Sequence, residues 1–140
     1  GKNLSLEVYK TSLFIAKRTL EDKPLGYGFN NYSQAFSNYI NEKEHYFDYV
    51  QRLNKYDGSN NFAKIISEFG VFSIFLFYFL FSFTFNKNIN KFIKFCLLVP
   101  ISMQLFARGV GYFNGGFILF LFYAFMIWID TFKSRKKLNF

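Results

Sequence analysis

The chain has 140 residues, 51% of them hydrophobic and 24% aromatic, with 23 Phe, a mean hydropathy of +0.09 and a formal net charge of +8. Residues 1–68 carry nine Lys or Arg against eight Asp or Glu, and residues 69–140 carry eight against one, so the excess charge lies in the apolar half. That split argues for membrane topology over nucleic-acid binding, and a single cysteine, Cys96, excludes an internal disulfide and reads as a small packing residue.

In chain order, Leu6, Tyr9, Leu13, Ala16 and Leu20 recur at three- and four-residue spacing and predict an amphipathic helix from about Leu4 to Glu21, with Arg18 on its far side. Pro24, Gly26 and Gly28 in "EDKPLGYGFNNY" mark a loop in which the glycines permit positive φ or close backbone approach. Tyr32, Phe36, Tyr39 and Ile40 predict a second short helix, and Tyr46, Tyr49, Val50, Leu53 and Tyr56 a third. "YDGSNN" (Tyr56 to Asn61) is a turn, and Ser59 is the expected N-cap of a helix running through Glu68 into the apolar half.

Three runs then have the composition of membrane spans: Phe69–Phe85 without a charge, Phe92–Ala107 with only Lys94, and Gly115–Phe132 with only Asp130. Each gives roughly 25 Å of helix against a ~30 Å hydrocarbon core, so flanking residues such as Lys64, Ile65 and Ile66 must contribute. Core helices of a soluble all-α domain are the alternative, but three helices apolar all round leave a small domain little polar surface to cover them. The basic clusters "NKNINK" (Asn86 to Lys91) and "KSRKK" (Lys133 to Lys137) fall on the same side, which the charge bias makes cytoplasmic. Residues 1–68 and the loop "RGVGYFNGG" (Arg108 to Gly116) then face the other side. The expected architecture is all-α: a polytopic membrane protein fragment, with a helical extracytoplasmic loop domain (1–68) followed by three transmembrane helices (69–140). A start at "GKNLSLEVYK", with neither Met nor an apolar leader, suggests the C-terminal piece of a larger protein.

The stretch "SNNFAKIISEFGVF" resembles the extracytoplasmic signature of O-antigen polymerases and ligases, matched at Asn60, Phe62, Glu68 and Gly70. Upstream, Arg18 followed by Pro24, Gly26 and Gly28 resembles that family's Arg and Pro-x-Gly-x-Gly loop; downstream, "QLFARGVGYFNGGFILFLF" is similar to a late-span segment with Arg108 at the membrane face. Ligases carry a His where this chain has Ser59, so the resemblance favours the polymerase branch. It implies a bacterial inner-membrane enzyme, with residues 1–68 periplasmic, that transfers a glycan from undecaprenyl pyrophosphate onto a second lipid-linked repeat unit. No cofactor, metal or nucleic acid is implied; the implied partners are the lipid-linked oligosaccharide, membrane lipids and a chain-length regulator protein.

Arginine is suited to holding the pyrophosphate, being always cationic and able to bind phosphate oxygens bidentately. Arg108 and Arg18 are the candidates for that role, with Glu68 as a base, a partner of an arginine or a structural brace for the helix entering the membrane. Asn60, Gly26, Gly28, Gly109 and Gly111 are candidate substrate contacts; Asp57 and His45 have suitable chemistry without a placement. Tyr27, Tyr32, Tyr39, Tyr46, Tyr49 and Tyr56 suit sugar stacking, interfacial anchoring or a compositional bias that needs no function. A flippase or other transporter fragment, with Pro100, Ser102 and Gln104 in the second span, and a non-enzymatic membrane subunit stand as rivals.

Overall fold

The computed structural model describes residues 3–137 except Asn88, Arg108, Val110, Phe113 and Asn114, with side chains described as far as Ile129. It is 75% helix, with no strand among the described residues. The helices are α1 (Leu4–Asp22), α2 (Tyr32–Tyr39), α3 (Asn61–Phe69), α4 (Ser73–Phe81), α5 (Lys91–Ser102) and α6 (Gly115–Lys137). One helical run, Asn61–Phe85, is long and apolar enough to cross a membrane; the apolar stretch Gly115–Ile129 is shorter.

Two hydrophobic clusters are joined through α3. In the N-terminal cluster Ile15 of α1 meets Tyr32, Ala35, Phe36 and Tyr39 of α2 and the following Ile40. The second cluster gathers Ile65 of α3, Leu80 and Phe83 from α4 and its exit, Ile101 and Leu105 from α5 and its exit, and Phe117, Phe120 and Ala124 of α6. Helix α3 is amphipathic in an unusual sense: Ile65 enters the second cluster while Asn60 at its N-cap and Asn61, Lys64, Ser67 and Glu68 are all buried on polar contacts.

Four sequence expectations need correction. The predicted third helix over Tyr46 to Tyr56 is only a 3-10 turn, Asp48–Arg52; Val50 alone is buried while Tyr46, Tyr49 and Tyr56 stay exposed. Asn54, at φ 55°, turns the chain before a longer helix can form. The cap of α3 is Asn60, whose side chain accepts from the Ala63 N–H, rather than Ser59. The expected continuous helix through Glu68 breaks at Gly70, where φ +53° and ψ −132° turn the chain before α4. In α1 the inward face is Glu7, Val8, Thr11, Ser12, Ile15, Ala16 and Thr19, whereas Leu6 and Leu20 of the predicted stripe point outward. The reason is α3: its polar face requires hydrogen-bonding partners, and Ser12 supplies one to Ser59 and Asn60.

Helix α5 contains Pro100, which removes one backbone donor, and the chain leaves it through a π turn over Met103–Ala107. Outward faces of α4, α5 and α6 are apolar, with Ile74, Phe75, Phe92, Phe95, Leu119 and Phe122 all exposed.

Candidate functional site

The polar face of α3 organises the site. Its last carbonyls lie past the reach of the helix's own donors, and a neighbouring loop supplies them: Tyr27 N–H donates to Ser67 O at 3.0 Å and Gly28 N–H to Glu68 O at 2.8 Å. Val71 N–H in turn donates to Pro24 O at 2.8 Å. These bonds bring two backbones so close that a Cβ on Gly26 would strike the Glu68 carbonyl, and one on Gly70 the Pro24 carbonyl. Gly26 and Gly70, both at positive φ, are therefore an interlock between the Pro-Leu-Gly loop and the Glu-Phe-Gly corner.

Glu68 returns the favour with its side chain. One carboxylate oxygen accepts from Asn30 N–H at 3.0 Å and the other from Tyr32 N–H at 3.1 Å, at the start of α2, where Asn31 makes no side-chain cap. Glu68 thus caps α2 from another helix, where a carboxylate also meets the positive end of the helix dipole. Lys64, one turn earlier, places Nζ 3.8 Å from Glu68 Oε1, 2.9 Å from Tyr56 O and 4.0 Å from Asp57 Oδ1. The Lys64 and Glu68 side chains are 3% and 0% exposed, whereas that of Asp57 is 59% exposed. Asp57 is the carboxylate of this cluster that solvent can reach.

The glycine-rich loop docks on the other end of α3. Gly109 N–H donates to Ser59 O at 3.2 Å, and Gly111 N–H donates to Asn61 Oδ1 at 3.1 Å. A Cβ on Gly109 would collide with Asn61, and one on Gly111 would crowd Asp57 Oδ1 at 3.1 Å. Lys64 Nζ lies 5.1 Å from the Tyr112 ring centroid, within cation–π range. Burial, helped by the Glu68 carboxylate as a charge and a weak acceptor, pushes the Tyr112 phenol far above its ordinary value; its hydroxyl makes no hydrogen bond of normal length. Tyr32, buried and likewise unpartnered at its hydroxyl, shifts upward for the same reasons.

Most of the candidates from sequence therefore converge: Glu68, Asn60, Gly26, Gly28, Gly109 and Gly111 all belong to α3 or to the loops touching it. Arg108 lies outside the described residues, adjacent to Gly109. Arg18 is elsewhere, its guanidinium bonded to Glu42 at 2.8 Å and Glu21 at 3.0 Å, with Asp22 at 3.9 Å. Those carboxylates, Glu42 foremost, hold its charge even more firmly than usual. His45 is a tether: its Nε2 bonds Ile40 O at 2.9 Å and its Nδ1 lies 3.6 Å from Glu7 Oε1.

Spacing alone reads Lys64 as an extension of a span and gives Asn61 and Tyr112 no role. The signal for Lys64 was present, because Asn60, Asn61, Lys64, Ser67 and Glu68 form a polar stripe at helical spacing beside Phe62, Ile65, Ile66 and Phe69. Among the described residues no group of three or more His, Cys, Asp or Glu could hold a metal ion. No family model, no curated protein and no solved structure matches the chain.

Proposed function

We propose that the chain is the C-terminal portion of a polytopic membrane polymerase of the O-antigen type, extending a glycan carried on undecaprenyl pyrophosphate. In this reading the spans are about 69–85, 92–107 and 115–132, residues 1–68 are periplasmic, and the tail is cytoplasmic. The observation that supports it is the docking of Gly109 and Gly111, the first of them adjacent in sequence to Arg108, on the start of α3 beside Asp57 and Lys64. The apolar outward faces of α4, α5 and α6 support burial in lipid, since a soluble domain rarely exposes so continuous an apolar surface.

The acceptor sugar hydroxyl attacks the anomeric carbon of the donor glycan. The carbon–oxygen bond to the carrier's pyrophosphate breaks, and undecaprenyl pyrophosphate leaves with that electron pair. Arg108 binds the departing phosphate oxygens and offsets their growing charge, while the exposed Asp57 carboxylate accepts the hydroxyl proton. Glu68, with both oxygens engaged and no solvent access, acts as the brace that fixes α2 and α3 around this centre.

Expressed in the intact protein, Arg108→Ala and Asp57→Asn abolish chain extension while the protein remains inserted, giving core plus one repeat unit on a lipopolysaccharide gel. Polymer of normal length from Arg108→Ala overturns the pyrophosphate role. A reporter fused after Phe140 reads cytoplasmic; a periplasmic signal inverts the topology. The transporter reading draws on the π turn after Pro100 and on the buried, unpartnered Gln104 Oε1. It is distinguished by deletion of the parent gene: a flippase loss removes every O-antigen band, and a polymerase loss leaves the single-unit band.

A further inference from the structure

An open groove of about 440 Å³ lies between the outer face of α2 and the chain at Lys55–Tyr56, lined by Ser33, Gln34, Ser37, Asn38, Lys55 and Tyr56. Its volume falls within the ~300–1,000 Å³ usual for small-ligand sites. We propose that this groove binds sugar units of a glycan, as a subsite for the chain being extended; the assignment of a growing chain rests on the polymerase reading above.

The lining chemistry selects the ligand class. Two serine hydroxyls, two carboxamides, one ammonium and one phenol ring offer many neutral donors and acceptors and no aliphatic wall. A lipid chain or an apolar helix finds nothing to bury against there, a polyanion finds one cation, and a metal finds no carboxylate. Pyranose rings present what fits: hydroxyls around the edge and a C–H face that packs against the negative face of an aromatic ring.

Local bonds prepare the groups for such a ligand. Asn38 Nδ2 donates to Tyr27 Oη at 2.8 Å, which fixes the carboxamide and leaves its carbonyl oxygen to accept from a sugar hydroxyl. Ser37 Oγ donates to Ser33 O at 2.9 Å, so its lone pairs remain for a ligand donor. Tyr56 is 70% exposed, yet its backbone is fixed because its carbonyl accepts from the buried Lys64 ammonium at 2.9 Å. The ring is thus an exposed platform on an anchored residue, and Asp57 is the next residue along the chain.

The test is binding of the full chain, reconstituted in nanodiscs, to a printed array of neutral and acidic oligosaccharides without lipid carriers. Wild type binds one or more structurally related glycans. Tyr56→Ala weakens that binding by about tenfold, the scale of one aromatic contact, and Tyr56→Phe retains it. Because Tyr56 is exposed, the alanine variant keeps its fold, which circular dichroism checks. No glycan bound by wild type, or equal binding by Tyr56→Ala, overturns the groove. Failure of the polymerase reading is distinguishable: a chain that binds glycans but whose loss leaves polymer length normal keeps the groove and loses the polymerase.

Discussion

The Lys64–Glu68 pair permits a quantitative test of the site's construction. Both side chains are buried, and their charged atoms are 3.8 Å apart. Removing one partner of such a pair leaves the other charge buried and costs about 3–5 kcal/mol, while removing both costs much less than the sum. Lys64→Met retains the two backbone donors to Glu68, so its cost belongs near the lower end, about 3 kcal/mol. Glu68→Gln presents an amide NH₂ to one of those donors and leaves the ammonium with only the Tyr56 carbonyl and the more distant Asp57, and costs about 3–4 kcal/mol. The double variant loses about 4 kcal/mol, a coupling of roughly 2–3 kcal/mol. Thermal unfolding in detergent, followed by the fluorescence of the single tryptophan, Trp128, reads each single loss as roughly 10 °C. Losses in the double variant that equal the sum of the singles within about 0.5 kcal/mol refute the coupling and with it the role of Glu68 as the partner of a buried cation.

Gly70→Ala drives a Cβ into the Pro24 carbonyl at positive φ and costs more than about 3 kcal/mol, whereas Gly28→Ala, whose nearest neighbour is Asn31 Nδ2 at 3.5 Å, costs only the backbone strain of about 1–2 kcal/mol; equal losses in the same unfolding assay sink the interlock. Tyr32→Phe removes a buried hydroxyl that has no partner and raises stability by about 1 kcal/mol, so a measured loss shows that the hydroxyl is satisfied after all. Tyr32 and Tyr112 have phenols raised above the unfolded value of ~10, so the folded state holds more protons once the unfolded chain ionises. Their stabilising contribution is complete below pH ~10 and is lost as pH rises beyond it; the alkaline fall in melting temperature becomes shallower in Tyr32→Phe/Tyr112→Phe, and an unchanged slope contradicts the burial argument. In the polymerase proposed above, Arg18→Ala leaves polymer length normal and shifts the melting temperature little, because its guanidinium is held at the surface by Glu21 and Glu42; loss of polymer places Arg18 in the site.

Helical content was legible from composition and periodicity, and of the three expected spans one helical run, Asn61–Phe85, is long and apolar enough to cross a membrane. The Pro24–Gly28 loop and the Glu68–Gly70 corner were also visible as breakers, but nothing local to either says that they meet. Their contact is between backbones far apart in sequence, fixed by bonds such as Val71 N–H to Pro24 O, and backbone bonds leave no side-chain signature. The inward face of α1 is hidden from periodicity for a related reason. Periodicity assumes that the inward stripe is the apolar one, yet α1 packs on the polar face of α3, so Ser12 and Thr11 turn in and Leu6 turns out. Asn61 was passed over because a buried asparagine that binds a distant glycine N–H has the same sequence context as a turn residue.

The joint at Glu68 explains why a carboxylate stands at the change from a polar to an apolar chain. An apolar residue there leaves the Asn30 and buried Tyr32 N–H groups without their acceptor and the buried Lys64 ammonium without the carboxylate 3.8 Å away. Glutamate offers two oxygens at the end of a side chain long enough to stand off α3 and reach the start of α2, while its own carbonyl remains free for Gly28. One residue therefore fixes three things at once: the end of α3, the start of α2 and the loop between α1 and α2. The break at Gly70 follows immediately, so the direction in which the apolar run leaves is set by the same bonds that hold the polar half together. Asp57 and the Gly109–Gly111 segment meet the opposite end of the same nine-residue helix. Helix α2 and its loop are thus linked to Asp57 through Glu68 and Lys64, whose ammonium lies 3.8 Å from the Glu68 carboxylate and 4.0 Å from that of Asp57.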